Sequence, residues 1–377
     1  MLKSLTGSLH LCQWLLIGSF LVLLWGPLLG SLLSPDRQVS EVENRPLAQL
    51  PAWPDDRSSL RDWPRRFEAY FDDQLGGRET LVYWHNRIKL ALGIAPSDKV
   101  LPGREGWLFY AGTEADGQVD PIRDLRGKSL FSEHELAAWA ANLNSKQRWL
   151  AARGIAYLFV IAPNKSSIYP EYLPARIQPG PSRTDQLVQY LAQHSTVQLL
   201  DLRPALLAAK ADGQLYHRTD SHWNALGAWH AQQAIQMQLR HWFPELAALP
   251  HHSWSWQQQT GGDLAQMLGL RQVLREPKPQ AQEGCYQVRR QLQPEPPHSQ
   301  IVGCDQAHWQ GLLFHDSFAD ALAAYLAHYF HDLTMLSIRP DLAYFTRLVA
   351  ETQPDIVIEQ RVERYLALIP DYVLPAD

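Results

Sequence analysis

Tyr216-His217-Arg218-Thr219-Asp220-Ser221-His222-Trp223-Asn224 leads straight into Ala225-Leu226-Gly227. Read as extended chain, this segment turns side chains two apart to the same side, so Asp220 and His222 converge while Ser221 points away. A carboxylate beside an imidazole is the orienting half of a proton relay. Far downstream, Leu312-Leu313-Phe314-His315-Asp316-Ser317-Phe318 reads as an apolar strand turning into a helix, with a serine at the junction. At a positive helix end the amides of Ser317 and Phe318 are predicted to be free to hold an oxyanion. If the two segments meet, Ser317, His222 and Asp220 form a relay for acyl transfer. His217, Asp220 and His222 also suit a divalent metal, but neither a fourth ligand nor a glutamate base stands nearby. No metal and no cofactor are therefore expected.

Outward from these segments, the chain alternates between helices and apolar strands. Ser132 and Glu135 form a capping box that opens a helix to about Arg153. Ile155-Ala156-Tyr157-Leu158-Phe159-Val160-Ile161-Ala162 is a near-continuous apolar run, as expected of a strand covered on both faces. A helix over 182–194, a strand over 197–201 and a helix over 203–210 follow. Asn224 is predicted to cap a long helix from Ala225 to about Trp242. Residues 244–310 read as a loop-rich insertion, with Trp254, Trp256, Gly261-Gly262-Asp263-Leu264 and a Pro/Gln-rich run. The alternation resumes with a strand over 311–314, a helix over 317–330, a strand over 333–337, a helix over 340–352 and a strand over 355–359. This order predicts an α/β fold with a parallel sheet flanked by helices. Ligands bind such sheets outside the carboxyl ends of the strands, where Asn164, Ser317, Arg339 and Glu359 are expected.

From Leu11 to Leu33 the chain carries no formal charge, which is long enough to cross a bilayer core of about 30 Å. Lys3 before it favours an amino end in the cytoplasm and a body outside it. The run is long for a cleaved signal, and no Ala-x-Ala site closes it, so residues 1–34 are expected to be an uncleaved anchor. Residues 35–99 are expected to form a linker, running to Pro64, and a helical lead-in over 65–92 with Phe67, Tyr70, Phe71, Leu75, Leu81, Trp84, Ile88 and Leu92 at helical steps. Val100 to Tyr110 reads as strand-turn-strand, and 100–377 as the catalytic domain. Cys285 and Cys304, the only cysteines beyond the apolar run, are expected to form a disulfide. With 34 basic and 39 acidic residues and a net charge of -5, the chain has no dense basic block, which argues against nucleic acid as the main partner.

Thr219-Asp220-Ser221-His222-Trp223-Asn224, Pro163-Asn164-Lys165 with Tyr169-Pro170-Glu171, Gly106-Trp107-Leu108-Phe109 and Asp316-Ser317-Phe318 together resemble the alginate O-acetyltransferase AlgX/AlgJ-like family of bacterial exopolysaccharide-modifying proteins. The resemblance covers roughly residues 40–367, and Asp-x-His-Trp with a later serine is its most specific part. It implies an SGNH-hydrolase-like domain, anchored in the inner membrane and facing the periplasm. Such a protein moves acetyl groups onto a polysaccharide beside a multi-pass membrane acyltransferase that supplies them. Carried over, Ser317 is the nucleophile, His222 the general base and Asp220 its orienting partner. Two departures are read: His315-Asp316 precedes the serine where SGNH enzymes have Gly-Asp, and no carbohydrate-binding module is expected after the catalytic domain.

Asn164, Lys165 and Tyr169 are expected to serve either as oxyanion or sugar-hydroxyl contacts or as loop caps and packing. Arg339 offers the planar fork that a uronate carboxylate fits, or an ion pair with Asp341 or Asp332. A carbohydrate esterase with the same triad, and a non-catalytic polysaccharide-binding scaffold, remain open as alternatives.

Overall fold

Seven consecutive residues, Ala156–Ala162 (β1), form the second strand from one edge of the molecule's main sheet. Leu158, Val160 and Ala162 point into one apolar core and Tyr157, Phe159 and Ile161 into another, so both faces of the strand are dry. That double burial is why the run is apolar throughout instead of alternating. The computed structural model describes residues 2–33, 35–40, 45–249, 253–280, 284–292 and 299–375; for 2–12, 32 and 45 it describes the backbone alone.

The other strands of this sheet are β2 (Gln198–Asp201), β3 (Gln287–Gln291), β4 (Gln300–Gly303), β5 (Trp309–Phe314), β6 (Phe330–Leu336) and β7 (Ile356–Val362). Their spatial order is β2-β1-β7-β5-β6-β4-β3. The first five run parallel, and β4 and β3 extend the sheet antiparallel. Helices α1 (Glu133–Ala151), α2 (Arg183–His194) and α5 (Leu342–Thr352) cover one face, through residues such as Leu143, Leu187 and Phe345. Helices α3 (Arg203–Ala209) and α4 (Ala225–Leu239) cover the other, through Leu206, Trp229 and Ile235. The local start signals hold. Ser132 Oγ accepts from the Glu135 amide while Glu135 Oε2 accepts from Ser132, and Asn224 Oδ1 accepts from the Gly227 amide.

Four expectations are corrected. First, the 244–310 region is not simply loop: it supplies β3, an exposed strand rich in Gln and Arg, and β4, whose only apolar side chains are Ile301 and Val302, and an apolar-run criterion passes over both. Cys285 and Cys304 form the expected disulfide and tie the chain just before β3 to the end of β4. Second, the helix expected over 317–330 is three short pieces, Ser317–Ala321, Ala323–Leu326 and Ala327–Tyr329, of which only the middle one is α-helical. Third, Glu359 is not at a strand end: β7 runs on to Val362, and Glu359 lies buried in its middle. Fourth, the segment read as linker to Pro64 and one helix from Arg65 is two helices, Arg57–Gln74 and Arg78–Ala91. Asp56 caps the first, Pro64 lies inside it, and the left-handed Gly77 separates the two.

The chain divides into two compact units, Met1–Pro96 with Ala265–Arg271, and Ser97–Leu264 with Gln272–Asp377. The first contains the apolar helix Leu2–Leu33, whose Gln13–Ser31 stretch of 19 residues is long and apolar enough to cross a membrane. The second contains the main sheet.

Beneath the sheet, the Lys146 ammonium lies 2.6 Å from Glu359 Oε1, and Tyr157 donates to the same oxygen at 3.0 Å. Both charges are only 2% exposed. A buried pair adds little over a packed apolar pair, but leaving one member alone strands a charge in the core. Glu359 also lies 3.6 Å from Arg361, so the carboxylate serves two cations, and Glu359→Leu is expected to lower the unfolding free energy by about 3–5 kcal/mol, with part of the loss recovered in Lys146→Met/Glu359→Leu. Urea titration of both variants checks this; equal losses in the single and the double would contradict it.

Candidate active site

The segment that carries Asp220 and His222 is not a strand. Tyr216 and Trp223 pair as a single antiparallel bridge, and the Asn224 amide donates to the Leu215 carbonyl at 2.8 Å, so residues 217–222 form a closed loop. Asp220 and His222 still converge, by a different local geometry. Asp220 Oδ1 accepts from the His222 backbone amide at 3.0 Å, in the manner of an Asx turn, and meets the ring Nδ1 at 2.7 Å.

Three buried or half-buried groups from elsewhere in the chain hold this loop. The Lys165 ammonium donates to the carbonyls of His217 (3.0 Å), Arg218 (3.1 Å) and Asp220 (2.6 Å). Glu276 accepts from the amides of Arg218 (2.6 Å) and Thr219 (3.2 Å) and from the Thr219 hydroxyl. Asp263 accepts from the Ser221 amide (2.7 Å) and hydroxyl, and its own amide donates to Asp220 Oδ2 at 3.0 Å. Gly262 makes the last approach possible, because a Cβ there would stand 2.2 Å from the Asp220 Cβ. Glu276 and Asp263 were not among the expected site residues. For Asp263 the Gly261-Gly262-Asp263 run was the available signal, since paired glycines mark a close backbone approach; Glu276 sits in a strand and carries none.

Ser317 comes to this loop from the carboxyl end of β5. Its hydroxyl oxygen lies 2.7 Å from His222 Nε2, and Ser317 is exposed. The turn beneath it is braced by Asp316. One carboxylate oxygen accepts from the Phe318 amide and the Gln360 side chain, both at 3.1 Å, and the other accepts from the Val362 amide at 2.6 Å. The Phe318 amide is thus engaged by Asp316, which corrects the expectation that it stands free for an oxyanion. The Phe318 ring packs 4.9 Å from the imidazole, and Trp223 Nε1 donates to the Phe318 carbonyl at 3.0 Å, fixing the serine turn against the histidine loop.

The four residues expected at the substrate separate into two groups. Arg339 lines a cleft of about 430 Å³ together with Ser317, His315, Ser337, Arg361 and Tyr365. Its guanidinium lies over the Tyr365 ring at 5.5 Å, and it forms no ion pair with Asp341 or Asp332 among the described residues. Lys165 and Tyr169 stand behind the loop, a correction with a plain cause. Lys165 is buried with its ammonium bonded to three carbonyls, and the Tyr169 hydroxyl accepts from the Leu215 amide at 2.9 Å while its ring packs tilted against Trp107, centroids 4.5 Å apart. Asn164 is buried too, its side-chain oxygen taken by Arg364 at 3.1 Å and its amide by Glu363 at 2.7 Å.

The electrostatics follow from burial and neighbours. Burial works against ionised Asp220, but the His222 hydrogen bond and charge and the amides of Asp263 and His222 outweigh it and hold the carboxyl well below the ordinary range. For His222 burial again opposes the charged form, yet the Asp220 hydrogen bond and the charges of Asp220 and Asp263 raise the imidazole above its usual value. Burial pushes Asp263 up, helped by the nearby Asp220 charge. Lys165 is pushed down to about 7 by burial, against the pull of Asp220, Asp263 and Glu276. As for a metal, among the described residues the group whose ligand atoms come within 4.8 Å of one another is Asp220, His222 and Asp263. The His222 nitrogens already face Asp220 and Ser317, and His217, weighed as a third ligand, has a buried Nδ1 with no hydrogen-bond partner.

Ser317, His222 and Asp220 stand in line at the carboxyl rim of the parallel sheet of an α/β domain. The chain belongs to the family described as "SGNH hydrolase-like domain, acetyltransferase AlgX", whose model matches residues 100–317. Among curated proteins it is similar to the "Probable alginate O-acetylase AlgJ" of Pseudomonas aeruginosa, 27% identical over 176 residues, 46% of this chain and 41% of that protein. The protein of the same name from Pseudomonas putida is 31% identical over 138 residues, 36% of this chain and 32% of that one. The chain thus spans less than half the length of these relatives. Among solved structures, the O-acetyltransferase domain of Pseudomonas putida AlgJ overlays with a TM-score of 0.47 at 20% identity, covering 72% of this chain and 93% of that one. Bacillus cereus PatB1 overlays with a TM-score of 0.49 at 14% identity, covering 71% and 96%.

The raised His222 value sets a pH dependence. A folded-state value above the unfolded one stabilises the fold fully below the unfolded value of 6.5 and is lost as pH rises through the folded value. Ring-proton NMR is expected to show His222 titrating above 6.5, and Asp263→Asn to bring it down by removing a nearby negative charge. A midpoint at or below 6.5 in the unmodified protein would contradict this arrangement.

Proposed function

We propose that the chain is an O-acetyltransferase that moves acetyl groups onto hydroxyls of an exported polysaccharide through an acetyl-serine intermediate. The observation that carries the reading is the Ser317 hydroxyl at 2.7 Å from His222 Nε2, with Asp220 at 2.7 Å from Nδ1 on the other side of the ring. In the first half-reaction Ser317 Oγ attacks the acyl carbonyl carbon, His222 Nε2 takes the hydroxyl proton, and the donor's leaving group departs with that proton. In the second, an acceptor hydroxyl gives its proton to Nε2 as its oxygen bonds to the acetyl carbon, and the Ser317 Oγ–carbonyl bond breaks and recovers the proton. Asp220 stays ionised throughout and stabilises the imidazolium that forms twice per turnover.

The relatives' name, alginate O-acetylase, and the cleft beside Ser317 lead us to an alginate-like uronate polymer as acceptor. Arg339, which has no carboxylate partner among the described ion pairs, offers its fork to an acceptor carboxylate in this reading. Lys165, with Asp263 and Glu276, acts by positioning the histidine loop and does not touch the sugar. We further propose that residues 13–31 anchor the chain in the inner membrane with the catalytic unit in the periplasm, beside a multi-pass membrane acyltransferase that supplies the acetyl group. The helix long and apolar enough to span supports this.

Ser317→Ala is expected to reduce polymer acetylation by about three orders of magnitude or more with the fold unchanged, because the covalent route is lost. Acceptor-stimulated release from an acetyl ester, against release into water alone, separates transfer from esterase action. The rate is expected to rise with pH through the raised His222 value, since the base works only when neutral. Full acetylation by Ser317→Ala would remove the serine from the mechanism. Turnover indifferent to polymer would make the protein an esterase.

A further inference from the structure

The two helices found where the end of a linker and a single helix were expected each leave an apolar stripe exposed. In Arg57–Gln74 the stripe is Leu60, Phe67 and Phe71, with Trp63 stacked between Trp53 and Phe67 at 5.2 and 5.0 Å. In Arg78–Ala91 it is Leu81, Trp84 and Ile88, continued by Leu92 just past the helix end. Steps of three and four residues put each set on one helix face. Leu60 is 60% exposed, Ile88 56% and Leu92 69%, which is unlike the packing face of a soluble helix.

The same compact unit fixes where these stripes sit. The Gly76 amide, in the turn joining the two helices, donates to Ser31 Oγ at 2.8 Å, and Ser31 is the last residue of the apolar stretch Gln13–Ser31. The backbones touch there, because a Cβ on Gly76 would lie 2.5 Å from Gly30 and Ser31 backbone atoms. The chain after Ser31 is tied to the pair as well. The Arg37 amide donates to Gln74 Oε1 (3.0 Å), the Arg37 guanidinium pairs with Glu79 (2.7 Å), and Tyr70 donates to Asp36 (3.0 Å). The turn between the helices is therefore held at the level where a span by residues 13–31 would leave the hydrocarbon. Tryptophan and phenylalanine beside arginine are the residues that suit this depth, rings among the acyl carbonyls and guanidiniums at the headgroups.

We infer that the helix pair 57–74 and 78–91 lies on the bilayer with its two apolar stripes in the headgroup and acyl boundary of the leaflet at the carboxyl end of the anchor. The inference rests on the proposed spanning of residues 13–31. The contact makes the pair a membrane-surface platform in place of a spacer.

The test uses the full chain with Cys12→Ser, reconstituted in phosphatidylethanolamine/phosphatidylglycerol vesicles carrying spin-labelled lipids with the quencher either shallow or deep in the leaflet. Single cysteines replace Phe67, Ile88, Glu68 or Val22 and carry an environment-sensitive fluorophore. The shallow quencher is expected to reduce emission at Phe67→Cys and Ile88→Cys several-fold more than at Glu68→Cys, and the deep quencher to act most strongly at Val22→Cys. Weak quenching at Phe67→Cys and Ile88→Cys with strong quenching at Val22→Cys overturns the surface contact and leaves the anchor intact. Weak quenching at Val22→Cys overturns the anchor and this inference with it. Shielding at Phe67→Cys and Ile88→Cys that needs other membrane proteins, or that disappears as protein is diluted in lipid, overturns the lipid contact in favour of a protein partner or a second copy.

Discussion

The Lys165 ammonium beneath the 217–222 loop is the constraint on which the candidate site rests. A loop without regular pairing has carbonyls to satisfy, and three of them, at His217, Arg218 and Asp220, converge on one buried cation. Burying a lysine is costly, and here the cost is offset in part by those three oxygens and by the carboxylates of Asp220, Asp263 and Glu276 around it, burial still holding its value down at about 7. Glu276 and Asp263 meanwhile take the loop's amides. The loop is held from both polar sides of its backbone, which is how irregular chain can keep an imidazole within hydrogen-bond distance of a serine.

The serine's position depends on the sheet. β5 lies between β7 and β6, buried along its apolar half, and its last residues cannot shift without breaking the parallel register with both neighbours. Asp316 extends that rigidity two residues past the strand, bonding to Gln360 and Val362 at the end of β7. The rigid sheet rim thus presents the hydroxyl and the clamped loop presents the base. Phe318, packed between the imidazole and Trp223, joins the two so that neither moves alone.

The parts of this architecture legible in the sequence were local in their physics. Ser132 with Glu135, Asn224 at its helix start and the apolar run of β1 each announce themselves within a few residues, because caps and double burial act over that range. What escaped was long-range. Strand β3 is an exposed polar edge strand with no burial pattern to betray it, and β4 beside it offers only Ile301 and Val302 as an apolar signal. Lys165 read as a substrate contact because nothing within ten residues of it hints at the carbonyls that arrive from 217–220. The helix pair over 57–91 was half concealed by Pro64, which reads as a breaker and yet sits inside a helix.

Sequence alone therefore determined the fold class, the disulfide, the apolar span and the three residues able to share a proton, because residue chemistry and short-range periodicity suffice for those. Only the tertiary structure decided that the residues around them act from behind: Lys165, Glu276 and Asp263 hold the loop, and Arg339 alone of the expected contacts faces the cleft. The physical reason is that a side chain's role depends on which backbone groups folding brings within hydrogen-bond distance of it, and those groups lie tens to hundreds of residues away along the chain.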